Sequence, residues 1–498
     1  MEKYHIAVFD IGKTNKKLVI FDSDLTILDI EKTNIEEYEV GHIKYDKLDI
    51  IEQWFLDQLK KKSATYNIKT VSVSAHGATF TCIDNKGNLA VPEISYTTDP
   101  GKDFHDEFYQ KFGTKNELQK ITGTPDFNLL INIAKGIWFV KKNFNIQFGK
   151  TRHILNLPQY FCYKLTGKVV ADPTYVGCHT YLWDFLKNDW SVVADKLGIR
   201  KLLPSQIKNP WEILGTITAE VAEKTGLDHD TVVTSGIHDS NASLLPHLIT
   251  SDEDFVLNST GTWCVIMHER DKVHFNEEEL GKVVFFNLSP FSKPVKTSIF
   301  MGGIEFEAYD EILREIHGNG QFPDFDQALY EKITATRNLF ILPSVTPGTG
   351  QFPESKARII ENGKIYDFDE IRKRKNHPSF FMDKATAYAV LNLSLAIQTK
   401  ISLDRSDMCN GMPLFTEGGF SQNQAYNILI SAFYPKSNIY LTNLNEATAF
   451  GAALLGKAAR ENKHPRELSG FLKIEKKLVR KSHINHLNDY LKTYLAQI

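Results

Sequence analysis

The sequence is poor in cysteine, has almost no net charge and contains no long apolar run, and each shortage excludes something. Its five cysteines, Cys82, Cys162, Cys178, Cys264 and Cys409, are scattered, odd in number and form no CxxC pair. They therefore make neither a disulfide framework nor a spaced metal-ligand set, and read as small buried apolar residues of a reducing, cytoplasmic compartment. With 58 Lys+Arg against 61 Asp+Glu the formal net charge is −3, which leaves no electrostatic footprint for nucleic acid or an anionic membrane. The opening MEKYHIAVFD lacks the apolar core of a signal peptide. Nowhere does an apolar run reach the ~18 residues that mark a membrane span. The partner that remains is a small molecule.

Length supplies the next constraint. A chain of 498 residues, 42% of them hydrophobic, exceeds what one core holds, so two domains of roughly 200 to 250 residues are expected. Apolar runs at residues 6–9, 18–22 and 25–30, separated by DIGKTN and DSD, read as a β-meander. A helical pattern over 50–61, with Ile51, Trp54, Phe55 and Leu59 on one face, and a β-branched strand over 70–74 follow. That order indicates an α/β domain. Further helical patterns elaborate it between residues 106 and 226. From residue 254 the opening pattern returns, with FVLN, STGT and TWCVIM in the places of AVFD, IGKT and KLVIF, a weak internal repeat. Residues 347–376 read as a polar surface excursion. Helices are expected at 384–401, 422–433 and 446–460, a strand at 413–419, and a helical appendage at the end.

The segments 8–22 and 255–267 hold the chemistry. A tight Gly/Thr turn between apolar strands presents backbone N–H groups and hydroxyls to an anion, and two such turns facing across a cleft grip a nucleotide's phosphates from both sides. The candidates are Gly12, Lys13, Thr14 and Asn15 in the first turn and Ser259, Thr260, Gly261 and Thr262 in the second. Asp10 closes the first strand, where a carboxylate can hold hydrated Mg2+ or merely start a turn. Asp239, in SGIHDSNAS, follows a buried strand and a glycine turn, as does a side chain presented at a sheet's carboxyl edge. There it can accept the proton of a substrate hydroxyl; a helix N-cap is the plain alternative. His76 and Gly77, in SAHGATF, end another strand, where the imidazole can donate to a sugar hydroxyl or be a satisfied structural histidine. The glycines of EGGFSQN let a flat base lie close to backbone.

On these motifs, in their order and spacing from about residue 4 to 460, the chain resembles the FGGY carbohydrate kinases of the actin-like ATPase superfamily. The resemblance implies an α/β protein of two actin-like (ribonuclease H-like) ATPase domains, residues 1–248 and 249–461, with a catalytic cleft between them and 462–498 as a helical appendage. It implies ATP and Mg2+, with Gly12, Lys13, Thr14, Asn15 and Lys17 on the phosphates and the STGTW turn closing from the other domain. Asp239, in IHDS, becomes the general base and, with Asp10, a metal ligand. His76, Gly77, Asp99 and His238 surround the sugar; Gly418, Gly419 and Asn423 surround adenosine. Within the family the motifs look most like those of L-fuculokinases and L-rhamnulokinases, which phosphorylate the 1-hydroxyl of 6-deoxy-ketohexoses.

Three departures stand out: Lys17 where Arg is usual, Lys13 where Thr or Ala is frequent, and Gly101 and Lys102 where relatives carry a substrate-loop Arg. They leave xylulose, ribulose, erythrulose and glycerol open as substrates. An actin-like ATPase that acts on no sugar is also open. The expected partners are ATP and a small sugar, without nucleic acid or membrane, and a homodimer is left open.

Overall fold

The computed structural model describes residues 3–374, 376–444, 446–472 and 474–498. The opening meander forms β1 (His5–Ile11), β2 (Asn15–Asp22) and β3 (Ile27–Asn34). Leu25, expected to begin the third strand, sits instead in the turn at φ 64°. They join β4 (Ile68–Ala75), β5 (Ile213–Thr216), β6 (Val232–Thr234) and β7 (Ile237–His238) in a sheet ordered β5-β6-β4-β1-β2-β3, with β7 beside β4. Residues 6–11 of β1 are all buried, as expected of a central strand covered on both faces.

The second sheet contains β8 (Val256–Thr260), β9 (Cys264–Glu269), β10 (Val284–Leu288), β11 (Pro294–Phe300), β12 (Leu414–Gly418), β13 (Ile439–Thr442) and β14 (Lys476–Leu478), in the order β10-β11-β9-β8-β12-β13-β14. The path β3-β2-β1-β4-β6 of the first sheet and the path β11-β9-β8-β12-β13 of the second are the same topology. In each, three antiparallel strands are followed by two strands parallel to the first of them, the second sheet making β10 before β11. The repeat faintly present in the sequence is therefore a repeat of the whole sheet.

The principal helices are α1 (Leu48–Ser63), α2 (Asp239–Thr250), α3 (Gly302–His317), α4 (Lys384–Arg405), α5 (Gln424–Phe433), α6 (Ala447–Glu461) and α7 (Leu487–Leu495). Two of them join the sheets. Ala242, Leu245 and Ile249 of α2 pack with Ile6, Val8, Val19 and Phe21 of the first sheet. Leu244 and Leu248, on its other side, pack with Phe255, Leu257 and Met267 of the second. Helix α6 leaves the second repeat and lies on the first sheet, with Ala449, Ala452, Ala453 and Ala458 in the same cluster as Ile6 and Val8. Its small residues are a steric requirement: a Cβ at Gly451 would overlap the Ala242 carbonyl, and one at Gly456 would stand 2.8 Å from Ser72 Oγ.

Two expectations are corrected. Within 347–376, strand Arg358–Glu361 pairs with Leu339–Leu342 and strand Lys364–Asp367 pairs with Arg358–Glu361, and Ile359, Tyr366, Phe368 and Ile371 are buried in the second core. Polar residues there alternate with core residues, and the composition hid the pattern. The terminal appendage is not purely helical either. It contributes the edge strand β14, while Tyr490 and Tyr494 of α7 are fully buried, Tyr490 stacking on Phe340 at 4.9 Å. Among the described residues no helix is long and apolar enough to cross a membrane.

Gly451→Ala should cost about 1–3 kcal/mol, the usual penalty of overpacking, and lower the midpoint of thermal unfolding by several degrees. An unchanged midpoint would mean that α6 can lift from α2.

Candidate active site

Register brings the chemistry to one edge of each sheet. Ile11 and His238 both pair with Ala75, so the Gly12 turn, His76 and Asp239 emerge together from the carboxyl ends of β1, β4 and β7. In the second sheet Thr260 pairs with Gly418, which sets the Gly261–Trp263 turn beside the glycine pair. A crevice at the carboxyl edge is where open α/β sheets place ligands.

In the first hairpin a Cβ at Gly12 would stand 2.9 Å from Asn15 O, so glycine permits the tight turn, while Thr14 and Asn15 are exposed at its tip. Asp10 is buried, and burial pushes its carboxyl up to about 6 against the opposing charge of Lys17, with Asp239 adding to the rise. The Lys17 ammonium lies 3.7 Å from Asp10 Oδ2 and pairs with Glu446 at the head of α6, which also binds Lys32. Lys13 is placed away from its expected role. Its Nζ donates to Asp46 Oδ1 at 2.8 Å and Ser95 Oγ at 2.6 Å, pairs with Glu37 at 3.0 Å, and lies 5.0 Å from the Tyr96 ring.

The second hairpin is similarly divided. Gly261 and Thr262 are exposed and Ser259 half-buried, but Thr260 is buried. Its hydroxyl donates to Glu417 O and accepts from the Phe420 N–H at 2.9 Å. Thr260 thus ties the turn to the glycine pair rather than facing a phosphate. Gly418, at φ 78°, has no room for a Cβ against the Thr260 carbonyl, and Gly303 at the head of α3 has none against Gly261 O. These elements surround a cavity of 540 Å³ lined by Thr262, Phe306, Phe322, Asn392, Gly419 and Phe420. Asn423 also borders it, but its side chain caps α5, accepting from the Tyr426 N–H at 3.0 Å and donating to Asn392 Oδ1 at 2.8 Å.

Around Asp239 the structure gathers three imidazoles. Burial pushes His76 down to about 4, His238 to about 4 and His179 to about 3, so all three are neutral. The loop after β4 is held by the Tyr175 hydroxyl, which donates to His76 O at 2.8 Å and accepts from the Thr79 N–H at 3.1 Å. Gly77 is tight: a Cβ there would stand 2.6 Å from His238 Nε2. Phe127 and Phe285 flank the His179 ring at 5.9 and 6.0 Å, and Phe285 reaches in from β10 of the second sheet.

Asp239 is the first residue of α2, and its Oδ1 accepts from the Ser240 N–H at 2.6 Å. Burial raises its carboxyl, with His76 and the Ser240 bond opposing. The unpaired N–H groups of a helix start favour a carboxylate there. The N-cap itself is His238. Asp99 is exposed and accepts from the Gly101 N–H of its own loop at 2.9 Å. Gly101 has φ 82° and ψ 162°, a region open essentially to glycine alone, so an Arg is excluded there for conformational reasons. Cys178, His179, Phe127, Phe285 and Glu446 escaped the sequence reading. Each reaches the site from a segment with no local turn signature.

Residues 5–246 match the FGGY family of carbohydrate kinases, N-terminal domain, and residues 252–465 match carbohydrate kinase FGGY, C-terminal domain. Glycerol kinase of Malacoplasma penetrans is 24% identical over 476 residues, 92% of this chain and 89% of that one. L-fuculokinase of Escherichia coli K12 is 25% identical over 274 residues, and the match spans 54% of this chain and only 57% of that relative. Rhamnulokinase of Halalkalibacterium halodurans is 26% identical over 53% of this chain and 56% of its own. The crystal structure of a carbohydrate kinase from Novosphingobium aromaticivorans superposes with TM-score 0.79 at 24% identity, covering 100% of this chain and 99% of that one. Plasmodium falciparum glycerol kinase with ADP gives 0.78 at 17% identity, covering 99% and 97%. These likenesses establish the fold, two actin-like ATPase domains.

Two substitutions test the side-chain assignments. Thr260→Val should cost about 1–3 kcal/mol by orphaning the Phe420 N–H, whereas Thr260→Ser retains most of the stability in thermal melts. Lys13→Met should lower the melting midpoint while ATP affinity stays within about twofold; a tenfold loss, or ~1.4 kcal/mol, would place Lys13 on the phosphates after all.

Proposed function

The chain belongs to the FGGY family of carbohydrate kinases, ATP-using phosphotransferases, and from that premise we propose that it transfers the γ-phosphate of ATP to a terminal hydroxyl of a neutral ketose, a 6-deoxy-ketohexose such as L-fuculose or L-rhamnulose. The observation that supports this reading is the placement of Asp239 at the start of α2, beside Asp10 on one side and the neutral imidazoles of His76 and His238 on the other. Uncharged imidazoles donate to and accept from hydroxyls without favouring an anion. Lys13, the cation bordering them, is engaged by Glu37 and Asp46, which disfavours a sugar acid. The Phe127 and Phe285 rings offer an apolar wall suited to a deoxy carbon.

Asp239 orients the attacking hydroxyl and accepts its proton. Its role is chiefly positional, because phosphoryl transfer has a loose transition state. The N–H groups of the Gly12 and Gly261 turns, with Thr14, Asn15, Ser259 and Thr262, face the phosphates, and Lys17 turns from Glu446 toward them. Adenosine occupies the cavity beside Gly418, Gly419 and Asn423. The all-oxygen pair Asp10 and Asp239 suits Mg2+, which when bound neutralises phosphate charge. Domain 1–248 supplies the base and most of the sugar contacts, domain 249–461 the nucleotide cavity and the Phe285 ring. Closure about α2 would exclude water.

A second reading, a glycerol or other polyol kinase, is favoured by the match to glycerol kinase along 92% of this chain. Sugar-stimulated ADP release with Mg-ATP over a panel of ketoses, polyols and gluconate separates the two. L-fuculose or L-rhamnulose should stimulate most, and preference for glycerol or gluconate would overturn the ketose assignment. Asp239→Asn should lower kcat by about 10²–10⁴ with ATP affinity retained; full turnover in that variant would remove Asp239 as base.

A further inference from the structure

One thiol and two imidazoles meet close to Asp239, a donor set softer than the oxygen ligands Mg2+ prefers. Cys178 Sγ and one ring nitrogen each of His179 and His238 lie within 4.8 Å of one another. We propose that Cys178, His179 and His238 form a binding site for one divalent transition metal ion of the zinc class, separate from the Mg2+ that accompanies ATP.

The geometry is close to what such an ion requires. Zinc bonds of about 2.0 Å to nitrogen and 2.3 Å to sulfur, set at a tetrahedral angle, separate the two donors by about 3.6 Å. Cys178 Sγ lies 3.7 Å from His238 Nε2. The two imidazoles also lie close together beside Gly77: a Cβ there would stand 2.6 Å from His238 Nε2 and 2.8 Å from His179 Nε2, so glycine leaves both ligand nitrogens uncrowded. Neither His179 Nδ1 nor His238 Nδ1 has a hydrogen-bond partner, and the hydrogen bond between His238 Nε2 and Cys178 Sγ is the one an ion between them would replace. His238 is 4% and Cys178 1% exposed, a depth at which polar groups usually find partners.

A set of one sulfur and two nitrogens selects zinc-class ions over Mg2+, which prefers oxygen. Three protein ligands leave a fourth position open, as in catalytic zinc sites. As the metal–sulfur bond forms, the Cys178 thiol releases its proton to solvent. Ligation would take up His238 Nε2, the ring nitrogen opposite the Nδ1 that lies 3.5 Å from Asp239 Oδ1, and so remove a contact otherwise offered to the sugar. The site itself stands whether or not the ketose assignment does.

Zn2+ titration of the full chain against a chromophoric chelator, and Co2+ absorption, test it without turnover. The expected result is one ion per chain with a thiolate-to-cobalt charge-transfer band, both lost in Cys178→Ser and in Gly77→Ala, whose methyl would crowd both ligand nitrogens. His179→Gln, at the least buried ligand, should weaken binding at least about tenfold and serves if the other two do not fold. Cys409→Ser should leave binding unchanged. No binding, or binding that persists in the folded ligand variants, would overturn the proposal.

Discussion

The contact of α6 on α2, helix backbone against helix backbone at Gly451 and Ala242, is the constraint from which the rest of the arrangement follows. Helix α2 is clasped between the two sheets, with alternate faces belonging to different cores. Because Asp239 is its first residue, that carboxylate is positioned by the packing of both domains and not by a loop. Only a run of Gly and Ala lets α6 approach closely enough to seat α2, so a stretch without any reactive group determines where the reactive group stands.

Charge is arranged around that seat with little left free. Burying Asp10 and Asp239 together is costly unless a cation is at hand, and Lys17 supplies one from β2 while Glu446 draws it toward α6. The Lys17–Glu446–Lys32 chain therefore ties the first sheet to the second repeat beside Asp10. Lys13, one turn away, serves a different cluster of Glu37, Asp46 and Ser95. Two lysines four residues apart thus have unrelated work, decided by which acids the fold brings near.

Much of the scaffold was legible because its signals are local. Strand alternation, the Gly12 and Gly261 turns, and the strand-to-helix step at Asp239 are each written in a short stretch of neighbouring residues, as are the patterns of α4 and α5. What was not legible depends on partners distant in sequence. Thr260, Asn423 and Asp99 carry groups suited to ligands, yet the structure engages the first two with Phe420 and Tyr426 and turns the third to its own loop. His179 and Phe285 reach the pocket from a helical elaboration and an edge strand. In 347–376, buried residues are interspersed with charges too evenly for composition to reveal them.

The apolar face of the first sheet, Ile6, Val8, Val19 and Phe21, is completed by residues 449–458 of α6. During synthesis that face is made early and its cover late, so the first half of the chain waits with a hydrophobic surface open to solvent. Such long-range closure slows folding and exposes intermediates to aggregation. The same clasp that seats Asp239 therefore leaves the first sheet without its cover until α6 has been made.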